Sequence, residues 1–349
     1  MSSLKEYAEQ LSAADQAQRI YAAEDIGYLN DPDGVPVLLE ALSKESSRAV
    51  RDVIFQALIR IDADAAIEGS IQLLGSEDPQ IRNQAVDVLR NKVVQSIPFL
   101  RSVMRDGDKN IRKLVLDVLS GNRASGAEEI YSAALADQDQ NVVITAVENL
   151  GKIRAEEFRI QIEDLLQPGA HPMLISACLE ALAGIGHEAS MASIRGCMHK
   201  FATLPDFQFV SYLKAIAALG SAREFIEVEG MLAVCGSHLR PAILCTLLAI
   251  HPRCLSIDAS DSLISELRMI VESGDSSQCR YQAVRVLGIW STRNDVFAIL
   301  VPCLSSAERL VRLAAAEAIR MSERPELERV LAAQAREETD EEVLEALNC

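Results

Sequence analysis

Cys197-x-His199 and Cys235-x-x-His238 are the residues of this 349-residue chain whose types and spacing come nearest to metal chemistry. Zinc takes thiolate and imidazole ligands, and a structural site needs four of them in a tetrahedron. Both pairs fall near the ends of segments read below as second helices of successive helix pairs. They therefore share one edge of neighbouring units, about 10 Å apart, and four ligands meet there if the loops bend inward. His251 and Cys254 follow a first helix, on the opposite edge, and cannot join them. Neither pair has the Cys-x-x-Cys or spaced His-His pattern of a strong zinc motif. Cys197 also falls in a core column with Ala41, Leu73, Val103 and Ala134, where cysteine acts as a small hydrophobe. The core reading is the stronger one, and no cofactor is expected.

Other catalytic constellations are missing from the sequence. It has no Gly-rich phosphate loop, no Gly-x-Ser-x-Gly elbow and no Walker lysine. Asp87, Asp117, Glu148 and Glu180 recur once per repeat in one column. Carboxylates a repeat apart are too distant for paired acid–base work, so they read as a solvated face. The formal net charge of −17 comes with no run of Lys and Arg. Binding to phosphates needs clustered cations, so nucleic acid and anionic membranes are not expected partners. No stretch approaches 18 unbroken apolar residues, and the N-terminal MSSLKEYAEQLSAADQ has no apolar signal region. All eight cysteines lie between Cys178 and Cys349 without a disulfide-framework spacing, which points to a reducing cytoplasm.

These residues are positioned by a repeat. A branched apolar residue, often followed by Arg, opens a small-residue helix that closes on a Leu seven residues after the Arg. The series reads AVRDVIFQAL (49–58), QIRNQAVDVL (80–89), NIRKLVLDVL (110–119), NVVITAVENL (141–150) and MLISACLEAL (173–182). It returns as CRYQAVRVL (279–287) and LVRLAAAEAI (310–319). The closing anchors are Leu29, Leu58, Leu89, Leu119, Leu150, Leu182, Leu219, Leu248, Leu287 and Ile319, spaced 29 to 39 residues apart. A spacing near 31 residues fits two helices of about 12 residues and two turns. Offsets of −1, +3, +4 and +7 from the Arg share one helical face; Phe55, Val86, Leu116, Val147, Leu179, Ile216, Cys245, Val284 and Ala316 hold the +4 place. Second helices show as VPVLLEAL (35–42), IEGSIQLL (67–74), IPFLRSVM (97–104), IYSAAL (130–135) and FAILVPCL (297–304). Asp78, Asp108 and Asp139 stand where first helices need caps.

The units resemble HEAT repeats, most nearly the short HEAT-like repeats of the phycobilisome-lyase type. The Asp78/Arg82 and Asp108/Arg112 pairs, the Glu308/Arg312 variant and the helix end Leu150-Gly151-Lys152-Ile153 carry the resemblance, which runs roughly from 17 to 322. It implies an all-α, right-handed α-solenoid of about ten helix pairs whose second helices line a concave surface. It also implies a structural inter-repeat ladder of Asp and Arg. HEAT-like deoxyhypusine hydroxylases hold iron with repeated His-Glu pairs; the single His187-Glu188 here cannot build such a site.

As one array over 1–349, the chain divides into a capping helix (1–16), regular repeats (17–170), irregular repeats (171–256), regular repeats (257–325) and a C-terminal cap or acidic tail (326–349). The ladder Arg becomes Val143, Ile175, Tyr212 and Pro241 in four successive repeats, and all five His fall within 171–256. The insertion 199–209 carries Phe201, Phe207 and Phe209. A non-catalytic scaffold that binds another protein is the function this pattern best fits. Its candidate contacts are Gln72, Arg101, Arg105, Glu129 and Asp164 on second helices, with Arg195 and the three Phe residues. The resemblance implies, as an alternative, a lyase-like role with a bilin chromophore. DNA binding, as in HEAT-like alkylpurine glycosylases, requires a basic concave face. The intact chain should leave a duplex DNA band unshifted in a native gel at about 50 mM salt, where counterion release favours binding most.

Overall fold

The structure is a computed structural model that describes residues 4–198, 204–273, 275–322 and 324–348. Among these every regular element is helical. They fall into two compact units, Met1–Ile162 and Glu163–Cys349. In the first, α1 (Leu4–Gln10) packs on α2 (Gln16–Leu29). Helix pairs then follow: α2 with α3 (Gly34–Lys44), α4 (Arg48–Arg60) with α5 (Asp64–Leu73), α6 (Pro79–Asn91) with α7 (Val93–Asp106), and α8 (Lys109–Leu119) with α9 (Glu128–Leu135). α10 (Gln140–Lys152) precedes α11 (Arg159–Asp164), across whose end the boundary falls. The second unit holds α12 (Pro172–Ile185) and α13 (Ser190–Cys197), α14 (Asp206–Leu219) and α15 (Ala222–Val234), and α16 (Arg240–Ile250) and α17 (Asp261–Glu272). It continues with α18 (Ser277–Gly288) and α19 (Asn294–Cys303), α20 (Arg309–Arg320) and α21 (Leu327–Ala335), and ends on α22 (Glu341–Asn348).

Within each unit first helices stack on first helices, as α2 on α4 and α18 on α20. Second helices stack likewise, as α5 on α7 and α7 on α9. The apolar columns are the reason. Leu58, Leu89, Leu119, Leu150, Leu182, Leu287 and Ile319 are completely buried. Asp78, Asp108 and Asp139 accept amide hydrogen bonds from the first turns of α6, α8 and α10, as their positions require. At two junctions the stack is so close that a side chain would not fit. A Cβ on Gly27 would lie 2.9 Å from Ala57 Cβ, and one on Gly288 would lie 2.9 Å from Ala318 Cβ. C-terminal residues 341–348 form a helix, not a disordered acidic tail: Val343 and Leu347 bury against the preceding repeat.

Two anchors are corrected by the structure. Leu29 is exposed at the end of α2, and the buried residue seven past Arg19 is Ile26. In α16 the frame lies one residue earlier than the expected Pro241, Cys245 and Leu248: Arg240 forms the ladder contact, Leu244 and Leu247 are buried, and Cys245 is exposed. The Arg column is therefore interrupted only by Val143, Ile175 and Tyr212, all of them buried.

The ladder joins the Arg of one repeat to a carboxylate ahead of the next first helix. Three rungs are two-pronged: Arg19 to Glu45, Arg112 to Asp137, and Arg312 to Glu338. Three others are single contacts: Arg51 to Asp78 at 2.9 Å, Arg240 to Asp275 at 2.7 Å, and Arg280 to Glu308. Arg82 instead donates to the Ser76 and Glu77 carbonyls. The fork geometry of guanidinium matches carboxylate, and the Glu338 side chain is only 3% exposed. The hydrogen bond from Arg312 holds Glu338 at about 2, down from its ordinary 4.5. A carboxyl lowered on folding stabilises above its unfolded value and loses that contribution as the pH falls through the folded value. The Tm should therefore fall between about pH 4.5 and 2 in the intact chain, and Glu338→Gln should flatten that segment while lowering the Tm at pH 7 by a few degrees. Thermal melts by circular dichroism across that pH range check both.

Candidate functional site

A groove of about 350 Å³ on the second-helix side of the first unit brings together three of the candidate contacts. Arg101 and Arg105 come from α7 and Glu129 from α9. Met104 and Ile130 form the floor, both almost fully buried. Helical spacing explains the grouping: Arg101 and Arg105 are four apart, on one face of α7. Arg101 Nη2 donates to the Gly126 carbonyl at 2.9 Å, and its Nε lies 3.3 Å from a Glu129 carboxylate that is 72% exposed. Among the described residues Arg105 is an exposed cation with no ion pair. Gln72 is exposed on the adjacent α5 but lies outside the groove lining. Asp164 is exposed at the end of α11, in the second unit.

The same kind of second-helix tie occurs in the second unit, with different burial. Arg195 on α13 donates to Glu224 on α15 at 2.5 Å. Glu224 has no exposed surface and also closes a capping box with Ser221. Burial pushes this carboxyl up, but the Ser221 amide and hydroxyl and the Arg195 guanidinium outweigh it and hold it below the usual range. Arg195 is thus a structural residue, not a free contact. Beside it the Tyr212 hydroxyl, standing in the Arg column, donates to Glu227 at 2.7 Å, and burial raises its pKa well above the ordinary phenol value. Where the first-helix ladder lapses, ties between second helices and Tyr212 take its place.

Phe207 and Phe209 lie in α14, not on a loop. Phe207 is exposed, whereas Phe209 is 2% exposed and belongs to the core. Phe201 and His199 lie outside the described residues. Among the described residues no group of three or more His, Cys, Asp and Glu side chains gathers as a metal set would. Cys197 is partly buried with its sulfur 4.0 Å from the Gln167 carbonyl, Cys235 is partly buried, and His238 Nε2 lies 3.0 Å from Asp206. The remaining described His also have local tasks. His171 and His187 accept backbone amide hydrogen bonds two residues ahead. His251 packs against Trp290 and Phe225 with ring centroids 5.6 and 6.4 Å away, and burial lowers its pKa. The His171 and His187 contacts are local, whereas those of His238 and His251 depend on side chains of other elements, which apolar periodicity does not place.

Stacked helix pairs with a first-helix ladder define an α-solenoid, a class whose surfaces are laid out one repeat at a time. Residues 4–90, a quarter of the chain, match the family model described as HEAT repeats, and the later helices pair and stack in the same manner. The chain is 35% identical over 87 residues to the bilin biosynthesis protein PecE of Mastigocladus laminosus. That match covers 24% of this chain and 32% of PecE, so the chain spans about a third of that relative's length. Among solved structures it is similar to that of the Kap95:Nup1 complex, with a TM-score of 0.61 and 12% identity, over 99% of this chain and 55% of the other. It is similar also to Kap121p bound to RanGTP, with a TM-score of 0.60 and 14% identity, over 99% and 44%. Both likenesses are of fold. No described helix is long and apolar enough to cross a membrane.

The two second-helix ties should differ sharply in energy. Arg195→Ala strands a buried carboxylate and should cost about 3–5 kcal/mol. Arg101→Ala opens an exposed pair and should cost about 0–1 kcal/mol. Urea melts of the two variants, each beside the intact chain, measure the contrast.

Proposed function

We propose that the chain is a non-catalytic scaffold that binds another protein at the α7–α9 groove. The observation that carries this reading is an exposed, unpaired Arg105 beside an apolar floor. Apolar floors with an arginine at the rim are typical of protein contact sites. Repeats suit the task, since each contributes one strip of surface to an extended partner. Similar folds are solved with protein bound, as in Kap121p with Pho4p. The seven described cysteines form no disulfide, which suits a reducing cytoplasm. The second reading, handling of a bilin, is favoured by the PecE match and predicts visible absorbance in the purified chain.

Affinity capture from the native host's lysate tests the scaffold. The bait is the intact chain beside Arg105→Glu/Ala133→Glu, two exposed positions on the groove rim. A stoichiometric partner held by the intact chain and reduced at least about tenfold in the variant, a loss of about 1.4 kcal/mol, supports the groove. Equal recovery moves the contact elsewhere. No recovered partner, together with visible absorbance, favours the chromophore reading.

A further inference from the structure

We propose that Arg82 binds a carboxylate from outside the chain, supplied by an acidic side chain of a partner. The two-pronged rungs show what its guanidinium is set to do. In each, Nη1 donates to carbonyls five or six residues earlier: Arg19 to Ala13 and Ala14, Arg112 to Gly107, Arg312 to Ser306. Nε and Nη2 then grip the two oxygens of Glu45, Asp137 or Glu338. Arg82 holds the same pose. Its Nη1 donates to the Ser76 and Glu77 carbonyls at 2.7 and 3.0 Å, while its Nε and Nη2 have no acceptor among the described residues. In the three rungs the carboxylate also accepts the N–H of the residue just ahead of the next first helix, Ser47, Asp139 or Asp340. The matching N–H here is that of Asp108, ahead of α8, and it too has no acceptor among the described residues.

The length of α7 explains the difference. Glu45, Asp137 and Glu338 lie beyond the ends of α3, α9 and α21, whereas α7 runs on through Asp106, the matching residue. Kept in the helix, Asp106 is exposed and accepts from the Ser102 hydroxyl at 3.4 Å. A pocket of about 490 Å³ opens at Arg82 instead. Its charges balance, Arg82 and Lys113 against Asp108 and Asp117. Selection therefore rests on the planar fork, which fits two carboxylate oxygens, and a polyanion gains no net positive field. Asp108 is no bar, because Asp139 and Asp340 hold the same place beside the carboxylates of Asp137 and Glu338. Leu74 and Leu114 line the pocket as well and offer apolar surface to the methylenes of an acidic side chain. All of these residues belong to the first unit, and the site stands whatever occupies the α7–α9 groove.

The test is an NMR titration of the intact chain with N-acetyl-glutamate α-methylamide, read at the Arg82 Nε–H and the Asp108 amide. Saturable shifts of both are expected, with a Kd on the order of 1 mM. The glutamine analogue has the same shape without the charge and should bind the intact chain at least about tenfold more weakly. Arg82→Lys keeps the charge and removes the fork, and should cost a similar factor at the Asp108 amide. Asp106→Asn removes the matching acceptor within the chain and should leave the Kd within about twofold. Binding at least about tenfold tighter in Asp106→Asn overturns the assignment, because Asp106 would then close the rung itself. Equal binding of the glutamine analogue, unchanged affinity in Arg82→Lys, or no saturation at all overturns it too. So does acetate binding as tightly as the glutamate probe, or inorganic phosphate binding more tightly, since the occupant would then be a small free acid or a phosphate.

Discussion

Every helix pair in this chain has apolar side chains on both sides, and no pair can bury them alone. Burial must come from the neighbours, so the whole arrangement depends on each repeat meeting the next in register. Leu58, Leu89 and Leu119, or Val284 and Ala316, are interior only because a second copy of the same pattern lies against them. This is why aromatics can be scarce. Small residues such as Gly27 against Ala57 and Gly288 against Ala318 let first helices approach until their backbones nearly touch.

Polar chemistry is arranged around that requirement. Where the arginine ladder runs, each rung places one guanidinium beside a junction and fixes the register of the two repeats it joins. Its two-pronged rungs occur where the carboxylate is nearly sealed from water, and single contacts serve elsewhere. Where the Arg column lapses at Ile175 and Tyr212, the tie passes to Arg195 and Glu224, where a buried carboxylate is held by a hydroxyl, an amide and a guanidinium together. Side chains left outside these ties stay exposed: Arg105 is one, and Arg195, tied to Glu224, is not.

Much of this was legible in the residue order. Period, helix number, capping aspartates and most core columns follow from apolar spacing, a property each segment carries within itself. The failures share a physical origin. Leu29 lies three residues past Ile26 and Leu248 directly after Leu247, and spacing alone cannot say which of two nearby aliphatic residues faces inward. Only the contacts of Arg19 and Arg240 settle it. Phe209 resembled a loop aromatic because its helix begins with Asp206, directly after a proline, with an irregular interval in front. The α7–α9 groove was partly visible, since Arg101 and Arg105 lie four apart. The Arg195–Glu224 tie was not, because it joins residues 29 apart on different helices.

The ladder rungs connect residues only 25 to 35 positions apart. A chain held by such short-span ties closes no large loop as it folds, so each new repeat can be added to a finished one soon after it is made. On a ribosome, a unit of this kind can assemble in the order of its synthesis, with the newest repeat always the least protected.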